Sequence, residues 1–173
     1  MPDQGQNSLS ERVLTEIPRL RVYARLMTND VSSADRAVAD TLKHALSNIE
    51  RLLTCNDLQI HLFMTLRTIL VNGETALNRH LESPISLATA LLRLAFEGRE
   101  AVVLRVGLGL SRVEAATIIG CELHIYDARV RVNFTRLAEL LPQDVLAKAH
   151  CDAVMASHAF SDANKEPREM LLH

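Results

Sequence analysis

Tryptophan is absent from this chain, and aromatic residues make up only 3% of it although 48% of the residues are hydrophobic. A core poor in large rings relies on Leu, Ala and Val packed between helices, because β-rich cores usually draw on more aromatic and β-branched side chains. Glycine and proline are also scarce, at 6 and 5 residues, and sit at plausible boundaries, which argues against a strand-and-turn fold. An excess of one charge is missing too. The formal net charge is −2, so non-specific attraction to phosphate is not a strong driver of binding. The three cysteines, Cys55, Cys121 and Cys151, are odd in number and widely spaced, which suits reduced thiols better than a disulfide framework. No apolar run approaches membrane-spanning length, and the opening MPDQGQNSLSE lacks a charged-then-apolar signal pattern. The expectation is a cytoplasmic, soluble, all-α protein without a membrane partner.

What is present is helical periodicity. Val13, Leu14, Ile17, Leu20, Val22, Tyr23, Leu26 and Met27 recur at threes and fours, with Pro18 either following a short helix or standing in the first turn of a longer one. Asn29 and Asp30 mark a turn, and Ser32 or Ser33 is the expected N-cap of the next helix. That helix carries Val38, Ala39, Leu42, Ala45, Leu46, Ile49 and Leu52 on its apolar face, and residues 54–57 break it. A third helix begins at Leu58 and weakens at Gly73. These elements make a first module over residues 9–80, with residues 81–86, which contain Pro84, as linker.

A second helical block covers residues 87–142. Ser86 caps its first helix, and residues 97–106 form another that ends at Gly107 and Gly109. Ser111 and Glu114 have capping-box spacing at the start of a short helix ending at Gly120. A long helix follows, with Leu123, Tyr126, Val130, Phe134, Leu137 and Leu141 on one face and a weaker stripe of Ile125, Ala128 and Val132 on another. Residues 143–173 form a C-terminal extension that could be helical in part. A short capped helix, a tight turn and a longer helix is the order of a helix-turn-helix, although a helical hairpin without any DNA contact shows the same order.

Other chemistry finds little support. No strand-turn-helix elbow or Gly-rich phosphate loop accompanies the Ser, His and Asp residues, so an enzyme is not expected. His150, Cys151 and His158 lack a fourth ligand, and neither a metal nor a cofactor is expected. Glu97, Glu100 and Glu114 read as helix-surface or capping carboxylates.

The stretch VGLGLSRVEAATIIGCELHIYDARVRVNFTRLAELL, with REAVVL before it, resembles region 4 of extracytoplasmic-function (ECF) RNA polymerase sigma factors. Independently, IPRLRVYARLMTNDVSSADRAVADTLKHALSNIERL resembles sigma region 2, and LQIHLFMTLRTIL resembles its last helix. The two resemblances span about residues 17–80 and 86–141 in the family's order, with the flavour of the general-stress-response group of alphaproteobacteria. They imply a three-helix region 2 bundle joined to a region 4 helix-turn-helix. They also imply core RNA polymerase, promoter DNA and an anti-sigma factor as partners. Asp35, Asp40, Thr41 and Leu42 match positions that dock on the polymerase, and residues 53–57 match the loop that captures a −10 base. Thr65, Arg67 and Thr68 match the face that reads the −10 strand. His124, Ile125, Ala128, Arg129 and Arg131 match the helix that enters the −35 major groove.

The chain departs from the family pattern where DNA would be gripped. Asp127 stands where a Lys is usual, and Val132 and Phe134 replace Arg residues. Residues 97–139 hold six Arg against six acidic residues, so the second module has no net positive field. The 53–57 loop has no aromatic residue to stack an extruded base, and GETALNRH follows where the family often has a basic cluster. The linker is short as well. At roughly 3.5 Å per residue, six residues span about 20 Å, which would hold the modules near each other. Two functions therefore stand: a divergent ECF sigma factor that directs transcription initiation at a subset of promoters, or a sigma-like decoy that binds an anti-sigma factor or polymerase without productive promoter recognition.

Overall fold

The computed structural model describes residues 4–73 and 86–141, and every regular element among them is helical. The first helix, α1 (Gln4–Thr28), runs unbroken through Pro18. The missing amide would have bonded the carbonyl of Leu14, which lies on the exposed side of the helix where water serves it. The opposite side buries Leu20, Tyr23, Ala24 and Met27.

α2 (Val31–Ser47) is capped by Asp30, not by Ser32 or Ser33, as the Asp30 carboxylate accepts the Ser33 amide at 2.7 Å. Asn29 makes this possible by adopting a left-handed φ of 51°, which Asn tolerates better than most residues. The single helix expected through Leu52 is two. Asn48 leaves helical geometry and its side-chain amide donates to the His44 carbonyl at 2.9 Å, closing α2 before α3 (Ile49–Thr54) begins. α4 (Leu58–Gly73) starts where the Asp57 carboxylate accepts the Ile60 amide at 3.0 Å. It buries Leu58, Leu62, Phe63, Leu66 and Leu70. The rings of Phe63 and Tyr23 tilt together with centroids 5.5 Å apart, tying α4 to α1.

The second block comprises α5 (Leu87–Leu92), α6 (Phe96–Val102), α7 (Arg112–Ile119) and α8 (Leu123–Leu140). Ser86 and Thr89 close a capping box at the start of α5. α6 widens into a π-helical turn over Val103–Gly107, in which the Leu108 amide reaches back to the Val103 carbonyl at 3.0 Å. Ser111 and Glu114 form the reciprocal capping box anticipated for α7. Gly120 ends that helix at a φ of 74°, a conformation that favours glycine, and its amide bonds the Ala116 carbonyl at 2.9 Å.

Phe134 does not join the core; it is 43% exposed. Eight residues after Tyr126 at 3.6 residues per turn, it lies about 80° round the helix from that fully buried ring. Tyr126, Leu137 and Leu141 form the narrower face that packs inward. Gly98 on α6 shows how closely α8 approaches, since a Cβ there would sit 2.2 Å from Oδ1 of Asn133.

The two blocks share one continuous hydrophobic core. α1 meets the π-helical turn, where Leu26 Cδ1 lies 3.1 Å from the position of a Gly107 Cβ and Arg19 Nη2 donates to the Leu108 carbonyl at 3.3 Å. α4 packs against α7 and α1 against α5. The linker expected over residues 81–86 lies outside the described residues apart from Ser86. So do residues 74–80 of the GETALNRH segment, the last part of the first module, and the extension from residue 143 with His150, Cys151 and His158.

Candidate inter-module and nucleic-acid surfaces

A buried polar cluster lies between the modules. Glu100 on α6 is fully buried, at 0% exposure. Its Oε1 accepts the Tyr23 hydroxyl of α1 at 2.6 Å, while Arg67 of α4 donates from Nε to Oε1 at 2.9 Å and to Oε2 at 3.1 Å. One carboxylate from the second module is thus held by two helices of the first. Burial pushes the Glu100 carboxyl above its usual range, against the opposing pull of Tyr23 and Arg67. Burial, and then the neighbouring Glu100 charge, push the Tyr23 hydroxyl well above its ordinary value.

This overturns the reading of Glu100 as a helix-surface or capping carboxylate. It stands four residues after Phe96 and four before Leu104, on the core register of α6, and that spacing was the available signal. Tyr23 was placed correctly on an apolar face, but nothing in the sequence disclosed its partner.

The helix-turn-helix carries a second polar link. Arg112, the first residue of α7, donates from Nε to Asp127 Oδ1 on α8 at 2.8 Å, and its Nη2 bonds the other carboxylate oxygen. Arg112 holds the Asp127 carboxyl below the usual range. Asp127 is therefore more than a bare negative charge in place of a basic residue, since it also occupies the guanidinium of a neighbouring helix. His124 and Ile125 are exposed near the start of α8, with His124 Nδ1 3.2 Å from a Glu122 carboxylate oxygen. Ala128 and Arg129 are half-buried, and Arg131 is exposed. Ile125 and Val132 open an apolar stripe to solvent, with Val132 at 62% exposure. Burial pushes the Tyr126 hydroxyl up to about 12, and it donates to the Ala101 carbonyl at 3.3 Å.

The other anticipated residues are less uniformly placed. Asp35 lies 3.3 Å from Arg21 Nε, and Asp40 lies 3.2 Å from Lys43 Nζ. Leu42 is half-buried. Thr41 is fully buried and donates its hydroxyl to the Ala37 carbonyl at 2.8 Å, so in this packing it presents nothing to a docking partner. Thr65 is half-buried and Thr68 exposed, each with its hydroxyl turned back to a carbonyl of its own helix. Arg67 points inward at Glu100, away from the surface it was expected to supply. Beside the 53–57 loop, a polar cleft is lined by Arg12, Thr15, Glu16, Asn56, Asp57 and Gln59. Among the described residues no cluster of three or more His, Cys, Asp or Glu side chains is set to hold a metal ion, and no helix is long and apolar enough to cross a membrane.

Comparison with known proteins agrees with this architecture. The family described as the Sigma2 domain of PhyR matches residues 13–67. The ECF RNA polymerase sigma factor EcfG of Rhodopseudomonas palustris (strain TIE-1) is 29% identical over 162 residues, covering 80% of this chain and 87% of that one. Among solved structures, the sigma factor RpoE of Bartonella quintana, crystallised with the anti-sigma factor NepR, superposes with a TM-score of 0.66 at 24% identity, covering 77% of this chain and 96% of that one. The PhyRSL–NepR complex of Sphingomonas sp. Fr1 gives a TM-score of 0.62 at 20% identity, with coverage of 76% and 87%. These two likenesses establish the fold. The EcfG match runs through both helical modules in order, so the chain is similar to an ECF sigma factor over most of its length.

Proposed function

We propose that the chain works in the cytoplasm as an ECF-type sigma factor of the stress-response kind, binding core RNA polymerase and directing initiation at a subset of promoters. The observation that carries this reading is the alignment with EcfG across both modules, not across one helical motif alone. Asp35, Asp40 and Leu42 on α2 then form the polymerase-facing set. Thr65 and Thr68 on α4, joined by Arg67 once it leaves Glu100, face the −10 strand. His124, Ile125, Ala128, Arg129 and Arg131 on α8 face the −35 groove. An anti-sigma factor is the expected antagonist.

A specific observation favours a second reading, that of a decoy that binds an anti-sigma factor without productive promoter recognition. The Arg112–Asp127 pair and the inward Arg67 remove cations from both expected DNA surfaces. Run-off transcription with core polymerase and a promoter library separates the two. Transcripts from a subset of promoters support the sigma factor. No transcript from any promoter, together with tight binding to a purified anti-sigma factor, establishes the decoy instead.

A further inference from the structure

Arg67 has one guanidinium and two claims on it. In this structure its Nε bonds both oxygens of Glu100, a carboxylate with no exposure to water, and the side chain itself is only 26% exposed. A strand phosphate would ask the same group for the same kind of charge-assisted bond. Glu100 comes from the second module, while Arg67 and its co-ligand Tyr23 come from the first. Occupation of Arg67 by Glu100 therefore requires the modules to be packed together, and their separation frees it.

The packing also ties this cluster to the recognition helix. Ala101, the neighbour of Glu100, accepts the buried Tyr126 hydroxyl of α8, and Gly98 lets α6 approach Asn133 of α8 too closely for any side chain to intervene. α6 and α8 are thus set to move together when Glu100 leaves. Opening is not prohibitive, because a buried carboxylate that regains water recovers hydration that its partners only partly replace.

We propose that Tyr23, Glu100 and Arg67 form an intramolecular latch that withholds Arg67 from single-stranded nucleic acid until the modules part. This rests on the reading above that Arg67 faces the −10 strand. The affinity of the whole chain for a strand is then reduced by the small fraction of molecules that are open, and breaking the latch raises it.

The test uses the full chain with Cys55, Cys121 and Cys151 replaced by alanine and fluorophores on Ser47→Cys and Glu139→Cys. Energy transfer reports module separation, and anisotropy of a labelled single-stranded oligonucleotide reports binding. Glu100→Gln, which keeps the side chain's size, and Glu100→Lys, which sets like charge against Arg67, are compared with the parent. Circular dichroism checks that helix content is retained. The latch predicts lower transfer in both variants and roughly five- to tenfold tighter strand binding. Adding Arg67→Gln should abolish that gain in affinity while leaving the modules apart.

Unchanged transfer in folded Glu100→Gln and Glu100→Lys proteins overturns the latch, whatever the oligonucleotide does. Reduced transfer with no gain in strand affinity overturns the withholding of Arg67, and does so by striking the nucleic-acid reading of that residue rather than the inter-module contact. If Glu100→Lys fails to fold, Glu100→Gln and Tyr23→Phe carry the same two readouts.

Discussion

The hydroxyl of Tyr126 donates to the carbonyl of Ala101, one residue beyond the carboxylate that binds Tyr23 and Arg67. Both ends of this arrangement are buried, so α8 is registered on α6 at the point where α6 is registered on the first module. The protein's two expected DNA surfaces are thereby linked through one short helix.

Removing the Tyr23 hydroxyl takes a short hydrogen bond away from a buried carboxylate while leaving the ring tilted against Phe63. Tyr23→Phe should lower unfolding stability by about 1.5–3 kcal/mol, the range for hydrogen bonds to charged groups. Urea denaturation checks this, and an unchanged midpoint would mean that Arg67 alone satisfies Glu100.

Gly98 and Asn133 should behave as a coupled pair. Gly98→Ala gains helix propensity but drives a methyl group into the Asn133 side chain. The single variant should be neutral to mildly destabilised, and Gly98→Ala/Asn133→Ala should exceed it by about 1 kcal/mol once the overlap is relieved. Thermal melts of the four members of this cycle measure the coupling; strict additivity would contradict the close approach.

The Arg112–Asp127 pair makes a prediction about salt. Asp127→Asn frees one cation, and Asp127→Lys frees it and adds another. If these face a duplex, the slope of log affinity against log salt should steepen by about 0.9 and about 1.8 respectively. Duplex titrations at several ionic strengths check this. An unchanged slope in both variants would mean that this side of the helix-turn-helix does not meet phosphate.

Glu100 also sets a sign for pH dependence. Its folded carboxyl is raised above the unfolded value, so the folded chain holds the proton to higher pH than the unfolded chain does. Its contribution to stability is full below the ordinary carboxylate range and declines as pH rises through the raised value. Glu114 and Asp127 are shifted downward and act in the opposite sense, losing stability as pH falls through their lowered values. Glu100→Gln should therefore flatten the decline on the higher side of the carboxylate range while leaving the acid limb intact. Urea midpoints from pH 4 to 8 test it; an undiminished decline would assign it to another group.

Much of the fold was legible because its signals are local. The Ser111–Glu114 box, Gly120 and the apolar spacing of α4 each act within a turn or two of chain, where sequence distance and spatial distance agree. The misreadings have a common cause in competition between neighbouring groups or in packing across long separations. Asp30 outcompetes Ser32 and Ser33 because an upstream left-handed Asn29 aims its carboxylate at the Ser33 amide. Pro18 is tolerated because the carbonyl it orphans faces water. Phe134 falls outside the core because α8 buries only a narrow face. The site was less legible than the fold. Thr41 and Arg67 lie on the helices assigned to them, but tertiary packing turns both inward, and Glu100 finds its ligands 77 and 33 residues away.

The most direct test of a latched sigma factor is run-off transcription with purified core polymerase, comparing the parent chain, Glu100→Gln and Arg67→Gln over one promoter library. A latched sigma factor yields transcripts from a subset of promoters, more of them with Glu100→Gln and fewer with Arg67→Gln. An absence of transcript from every promoter with all three folded proteins would contradict it.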